Sequence, residues 1–236
     1  MSEAVIKKVL TDHFASSPLA IGNAAGLIRL AFHDCHVEGC DASVLLDGPD
    51  AEKTAELIDT AKAALEAVCP GVVSCADIIA YAARDSVVAA NGSSFNVVGG
   101  RKDGRISIAS HAQFQQPTPD MSGTGKTDPS IPTSFAAQLE ALCPKTTFND
   151  TVIYTLDQVT PPVFDSGYYK SLQQHQGVFT SDQSLYDDKR TQPLVNQLSN
   201  DPVFQKKFGG AMRAMGRVGV KTNANGEIRK NCRQVN

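Results

Sequence analysis

The chain has 236 residues, 42% of them hydrophobic and 20% charged, enough to bury a substantial core in one domain or two closely packed ones. Its formal net charge is only -3. No basic stripe suggests a nucleic-acid partner, and no apolar run is long enough to span a bilayer.

The first stretch, MSEAVIKKVLTDHF, has the pattern of an amphipathic helix and lacks the uninterrupted apolar segment of a signal peptide. A second helix opens in GLIRLAFHDCHVEGCDASVLLD, residues 26–47, where Leu27, Ile28, Leu30 and Ala31 are apolar and proline is absent. Arg29 and His33 stand four residues apart, which puts a guanidinium and an imidazole on one helical face. The helix is predicted to run into a loop where Asp34, Asp41 and Ser43 offer hard oxygens and Gly39 permits a sharp turn. Cys35 and Cys40 are close enough there to be bridged. Calcium takes several oxygen ligands of this kind, so the loop suits that ion. A metal-stiffened loop beneath a cationic His/Arg pair makes a peroxide-handling device.

Residues 54–68, TAELIDTAKAALEAV, form a strong helical pattern stopped by Cys69-Pro70-Gly71. Ser74 can cap the next helix, CADIIAYAARDSVVAA, which ends at Asn91-Gly92. Further helices are predicted over 132–142, 166–174, 188–199 and 201–217, with Asn225-Gly226 turning the chain into a short extended tail. The linker-like stretch is 115–132, rich in Pro, Gly, Ser and Thr. Six cysteines and two N-x-[ST] sequons, at Asn91 and Asn149, speak for an extracellular history, each asparagine being read as an unmodified surface-loop residue.

LIRLAFHDC followed by VEGCDASVLLD is similar to the distal haem signature of plant secretory (class III) haem peroxidases. The likeness continues through EKTA, CPGVVSCADIIAYAARDSV, GGRKDGRIS, DPSIPTSFAAQLEALCP, FDSGYYKSL, GVFTSDQSLY and GEIRKNCRQVN, nearly the whole chain. It implies an all-α fold with a short C-terminal β or extended segment. Residues 1–119 would be the distal helical half and 120–236 the remnant of the proximal half, packed as one unit. It also implies a monomer outside the cell that reduces hydrogen peroxide with small phenolic-type aromatic donors, using haem b and two calcium ions, without nucleic-acid or membrane partners.

By the same resemblance His33 is the general base toward peroxide, Arg29 stabilises charge as the O–O bond breaks, and Phe32 shields the haem edge. Asp34, Asp41 and Ser43, with carbonyls of Asp34, Val37 and Gly39, hold the first calcium, and Glu52 holds an outer water. Asp157, Thr160, Val163 and Asp165 match a second, weaker calcium site. Pro117 lies at the donor access edge. Cys35–Cys40 and Cys75–Cys232 match bridges of the family, which leaves Cys69 and Cys143 as free thiols.

The proximal side departs from the family pattern. Pro119-Asp120-Met121 runs directly into Ser122-Gly123-Thr124-Gly125, where the family carries helices bearing the histidine that ligates iron. A shorter gap lies between Ala55 and Glu56, at the loop whose asparagine bonds the distal histidine in relatives. No proximal ligand is found: His13, His36 and His175 match no ligand position, and His111, near the junction, is the candidate for a substitute. Asp182, which in the family accepts from the proximal imidazole, is left with nothing to accept from. Two functions follow: a haem peroxidase, or a catalytically impaired calcium-binding remnant.

Overall fold

The computed structural model describes residues 2–47, 56–108, 131–142 and 154–236. Helices dominate them: α1 (Ser2–Ser16), α2 (Gly22–Val37), α3 (Glu56–Val68), α4 (Cys75–Ala89), α5 (Thr133–Leu142), α6 (Gly167–Gln173), α7 (Thr180–Asp187), α8 (Gln192–Leu198) and α9 (Asp201–Met215). The β structure among the described residues consists of isolated antiparallel bridges pairing Lys102 with Lys221 and Asp103 with Glu227. The expected all-α fold with an extended C-terminal piece is therefore what the chain adopts.

Local chemistry sets some of the helix ends. Ser74 caps α4, its hydroxyl accepting from the Asp77 N–H at 3.1 Å, and so satisfies a donor that the first turn leaves open. Beyond α3, Gly71 takes φ +68° and donates its N–H to Glu66 Oε2 at 2.9 Å. Two predicted boundaries are corrected. Helix α2 continues to Val37, so Asp34 lies in its last turns rather than in the loop. The helix predicted from residue 188 begins at Gln192, after the unpredicted α7. Asp188 Oδ1 accepts from the Arg190 N–H at 2.8 Å, a local bond that competes with helix and turns the chain.

The chain divides into two compact units, Met1–Pro117 with Lys207–Asn236, and Thr118–Lys206. The last segment, Lys207–Asn236, belongs with the N-terminal part of the chain in the first of these units. In that unit α2 packs on α4, and α1 packs on α3 and α4. Ile6 and Leu10 of α1, Leu27 and Leu30 of α2, Ile58 and Leu65 of α3, and Ile78 and Ile79 of α4 recur at spacings of one residue, about one turn or about two turns and are essentially fully buried. Each such side chain contributes about 1.5–3 kcal/mol by burial. Lys62 lies on the same buried stripe of α3, its ammonium satisfied by Val73 O at 2.7 Å and by Glu66 at 2.7 Å.

The C-terminal segment is fastened to this core. Cys75 is bonded to Cys232. Arg229, fully buried, donates to the carbonyls of Cys232 and Ala42, and its own N–H meets Asp103 Oδ2 at 2.9 Å. The second unit has its own apolar residues: Phe204 lies 5.1 Å from Phe164 and 5.6 Å from Tyr169, ring to ring, and Leu172 is fully buried.

Candidate functional site

The four-residue spacing on α2 brings Arg29 and His33 together, and Arg29 Nε donates to His33 Nε2 at 3.0 Å. The bond engages the single lone pair of Nε2, so this nitrogen takes a proton from another group only when Arg29 lets go. His33 is buried, and Phe32 beside it stacks on His36 with ring centres 4.1 Å apart. His36 Nδ1 is 3.1 Å from the Phe32 carbonyl oxygen, so this histidine is engaged within its own helix.

Next to His33 in the chain, Asp34 is buried in the last turn of α2. Its Oδ2 accepts from the Ala42 N–H at 3.0 Å, while Oδ1 has no hydrogen-bond partner. Burial pushes this carboxyl up to about 8, aided by the neighbouring Asp41 charge. Asp41 is 1% exposed, and its Oδ1 accepts from the Ser43 N–H at 3.0 Å. The loop around these carboxylates is shaped by left-handed residues, Gly39 at φ +99° between them and Ala42 at φ 58° just after Asp41. An orphaned, fully buried carboxylate oxygen beside a second buried carboxylate and the buried Ser43 fits a hard divalent cation. Among the described residues no cluster of three or more His, Cys, Asp or Glu could hold a metal, so a cation here would draw on carbonyl and hydroxyl oxygens as well. Glu52 and Pro117 lie outside the described residues.

A second oxygen cluster lies wholly within the other unit. Thr160 Oγ1 is 2.7 Å and 2.9 Å from the two Asp165 carboxylate oxygens and 3.3 Å from Asp157 Oδ2. Asp157 Oδ1 accepts from the Val159 and Thr160 N–H groups. Gly167 makes room, since a Cβ there would stand 2.3 Å from Asp157 Oδ2. Val163 shapes the same turn, its N–H donating to Thr160 O at 2.8 Å.

On α7, Asp182 has a partner, which corrects the sequence expectation: Tyr168 donates its phenol to Asp182 Oδ1 at 2.8 Å. Asp182 Oδ2 is buried with no hydrogen-bond partner. Burial raises Asp182, and burial together with the Asp182 charge pushes the Tyr168 phenol up. The other described histidines are engaged elsewhere, His13 with Asn23 at 2.9 Å and His175 with Gln183 at 3.1 Å. His111 lies outside the described residues.

Cys35–Cys40 and Cys75–Cys232 are both bonded, and Cys69 is a free thiol. Cys143 lies outside the described residues. Sequence reasoning missed Tyr168, Lys221 and Arg229, which reach site residues across tertiary space. Among the described residues no helix is long and apolar enough to cross a membrane.

A family profile described as Peroxidase matches residues 5–125 and 121–201. The two matched stretches overlap at residues 121–125, beside the junction at Pro119-Asp120-Met121. The chain is 38% identical to Peroxidase 5 of Vitis vinifera over 293 positions, covering all of this chain and 88% of the relative. It is 37% identical to Peroxidase 25 of Arabidopsis thaliana over 292 positions, again all of this chain and 88% of the relative. Peroxidase N1 of Nicotiana tabacum is 36% identical over 291 positions, all of this chain and 87% of the relative. Aligning 236 residues across 293 positions leaves 57 positions of the Vitis relative opposite no residue here.

Proposed function

This chain belongs to the plant secretory (class III) haem peroxidase family, whose members reduce hydrogen peroxide with electrons from donor substrates, and we propose that its own peroxide chemistry is carried by the Arg29–His33 pair. The observation that supports this is the 3.0 Å bond from Arg29 Nε to His33 Nε2. It sets the guanidinium against the imidazole, whose Nε2, once this bond opens toward substrate, takes a proton from one peroxide oxygen and delivers it to the other. The Arg29 guanidinium has further N–H groups to set against the negative charge that develops on the departing oxygen. Phe32 walls the same face. The family's haem and calcium enter here as cofactors, and small phenolic-type aromatics as donors approaching past Pro117. Calcium is held by Asp34, Val37, Gly39, Asp41 and Ser43 with Glu52 behind a water, and more weakly by Asp157, Thr160, Val163 and Asp165. We place the protein outside the cell as a monomer.

The bond between Tyr168 and Asp182 favours a second reading, a calcium-binding chain with impaired catalysis. It puts a phenol on the carboxylate that would otherwise orient an axial imidazole. One experiment separates the two. The purified chain is reconstituted with hemin and assayed with hydrogen peroxide and guaiacol beside His33→Ala. The first reading expects turnover that His33→Ala lowers by about a hundredfold or more. Equal, trace turnover in both chains, with calcium binding retained, supports the second.

A further inference from the structure

We propose that Lys221 sets the affinity of the Asp34–Ser43 loop for its divalent cation, by sharing the Asp41 carboxylate with it. This deepens the calcium reading of that loop and rests on it. The Lys221 ammonium donates to the Glu38 carbonyl at 3.0 Å and stands 3.3 Å from Asp41 Oδ2. Asp41 is 1% exposed and its other oxygen is engaged by the Ser43 N–H, so Oδ2 is the oxygen it has left to give a cation. A monovalent ammonium and a divalent ion drawing on one buried oxygen repel each other strongly where solvent screens them little.

Backbone features hold Lys221 in this place. Its main chain forms the antiparallel bridge with Lys102, and Gly219, two residues earlier, lies against Gly39 of the loop. The Cys40 N–H donates to Val218 O at 2.9 Å, which ties the loop to the segment leading into Lys221. Gly226 closes the turn behind it, where a Cβ would meet the Lys221 side chain at 2.8 Å. The side chain is still 22% exposed, so the ammonium has an outward path when a cation takes Asp41.

The consequence has opposite signs in the two states of the loop. Without calcium the ammonium neutralises a buried carboxylate and stabilises the fold. With calcium the same charge opposes the ion. A purely structural lysine would weaken both states on removal.

The test is calorimetric titration of the full chain with calcium chloride in an Asp157→Asn background, which leaves the loop as the titrating site. Lys221→Met, which keeps the apolar stem, is expected to tighten binding by roughly tenfold and to lower the melting temperature in chelator. Lys221→Arg keeps the charge and is expected to leave the affinity within about twofold of the parent. Unchanged or weaker binding in Lys221→Met overturns the proposal while leaving the calcium site standing. An isotherm in the parent that Asp41→Asn does not alter overturns the calcium reading of the loop itself, and this proposal with it.

Discussion

Gly39 and Gly219 meet backbone to backbone: a Cβ on Gly39 would stand 2.6 Å from the Gly219 Cα, and one on Gly219 would stand 2.7 Å from the Gly39 Cα. Both residues have positive φ, +99° and +57°. Gly219→Ala therefore meets a steric and a conformational obstacle together, and neither neighbour is a flexible side chain that could move aside. Urea denaturation is expected to show a loss of roughly 2–4 kcal/mol. A loss below about half a kcal/mol, the range of ordinary surface changes, would show that the two segments part easily.

The two disulfides are expected to differ in what they contribute. Cys75–Cys232 closes a sequence separation of 157 and Cys35–Cys40 one of 5. On the chain-entropy account these contribute about 5 and about 2 kcal/mol. Replacing the long bridge with a serine pair should lower the melting temperature well beyond the change seen for the short one, and equal shifts would contradict the ranking.

Arg229 is completely buried beside Asp103, which is also completely buried. Arg229→Met fills much of the volume but removes the carboxylate's countercharge and frees the carbonyls of Ala42 and Cys232. The expected cost is about 3–5 kcal/mol in chemical denaturation, the range for breaking a buried ion pair from one side. A near-neutral effect would mean that water reaches Asp103.

Asp182 gives a pH dependence with a definite sign. Its carboxyl is raised in the folded chain, chiefly by burial, so the fold holds this proton more tightly than the unfolded chain does. Its contribution to stability is complete below the ordinary carboxylate value near about 4 and is lost as pH rises through the raised folded value. Asp182→Asn keeps an oxygen for the Tyr168 phenol and removes the titration. The urea midpoint of the wild type, measured against this variant, should fall from acid toward neutral pH, and parallel pH profiles would refute it.

For catalysis the informative substitution is Arg29→Lys. It keeps a positive charge but loses the Nε–H that donates to His33 Nε2. Peroxide consumption by the hemin-loaded chain is expected to drop by about ten- to a hundredfold, with the far-ultraviolet circular dichroism unchanged. Retained activity would place charge alone, rather than the donated bond, in control.

Contacts within one helical turn were legible in the sequence. Ser74 with Asp77 and Arg29 with His33 follow from spacings of three and four residues, which a helix converts directly into proximity. The path of α2 through Asp34 was not legible, because glycine and the two cysteines suggested an earlier turn. Tyr168 and Asp182 are 14 residues apart on different helices, and Arg229 reaches the Asp41 carbonyl across 188 residues. No periodicity encodes such pairs, since they depend on how whole elements pack. A basic residue inside an otherwise extended, glycine-punctuated tail, as in GVKTNANGEIR, was the available hint that the tail meets buried acid.

The return of Lys207–Asn236 to the unit begun by Met1–Pro117 has a consequence for biosynthesis. A ribosome delivers Thr118–Lys206 before the segment that supplies Lys221, Arg229 and Cys232. The first unit must therefore wait, with Asp103 lacking its Arg229 countercharge and Cys75 still a thiol, while the intervening stretch emerges, at about 5–20 residues per second. During that interval Cys75 shares the nascent chain with Cys35, Cys40, Cys69 and, once it emerges, Cys143, so an oxidising compartment can form the wrong bridge before the right partner exists. Shortening the intervening stretch shortens that wait.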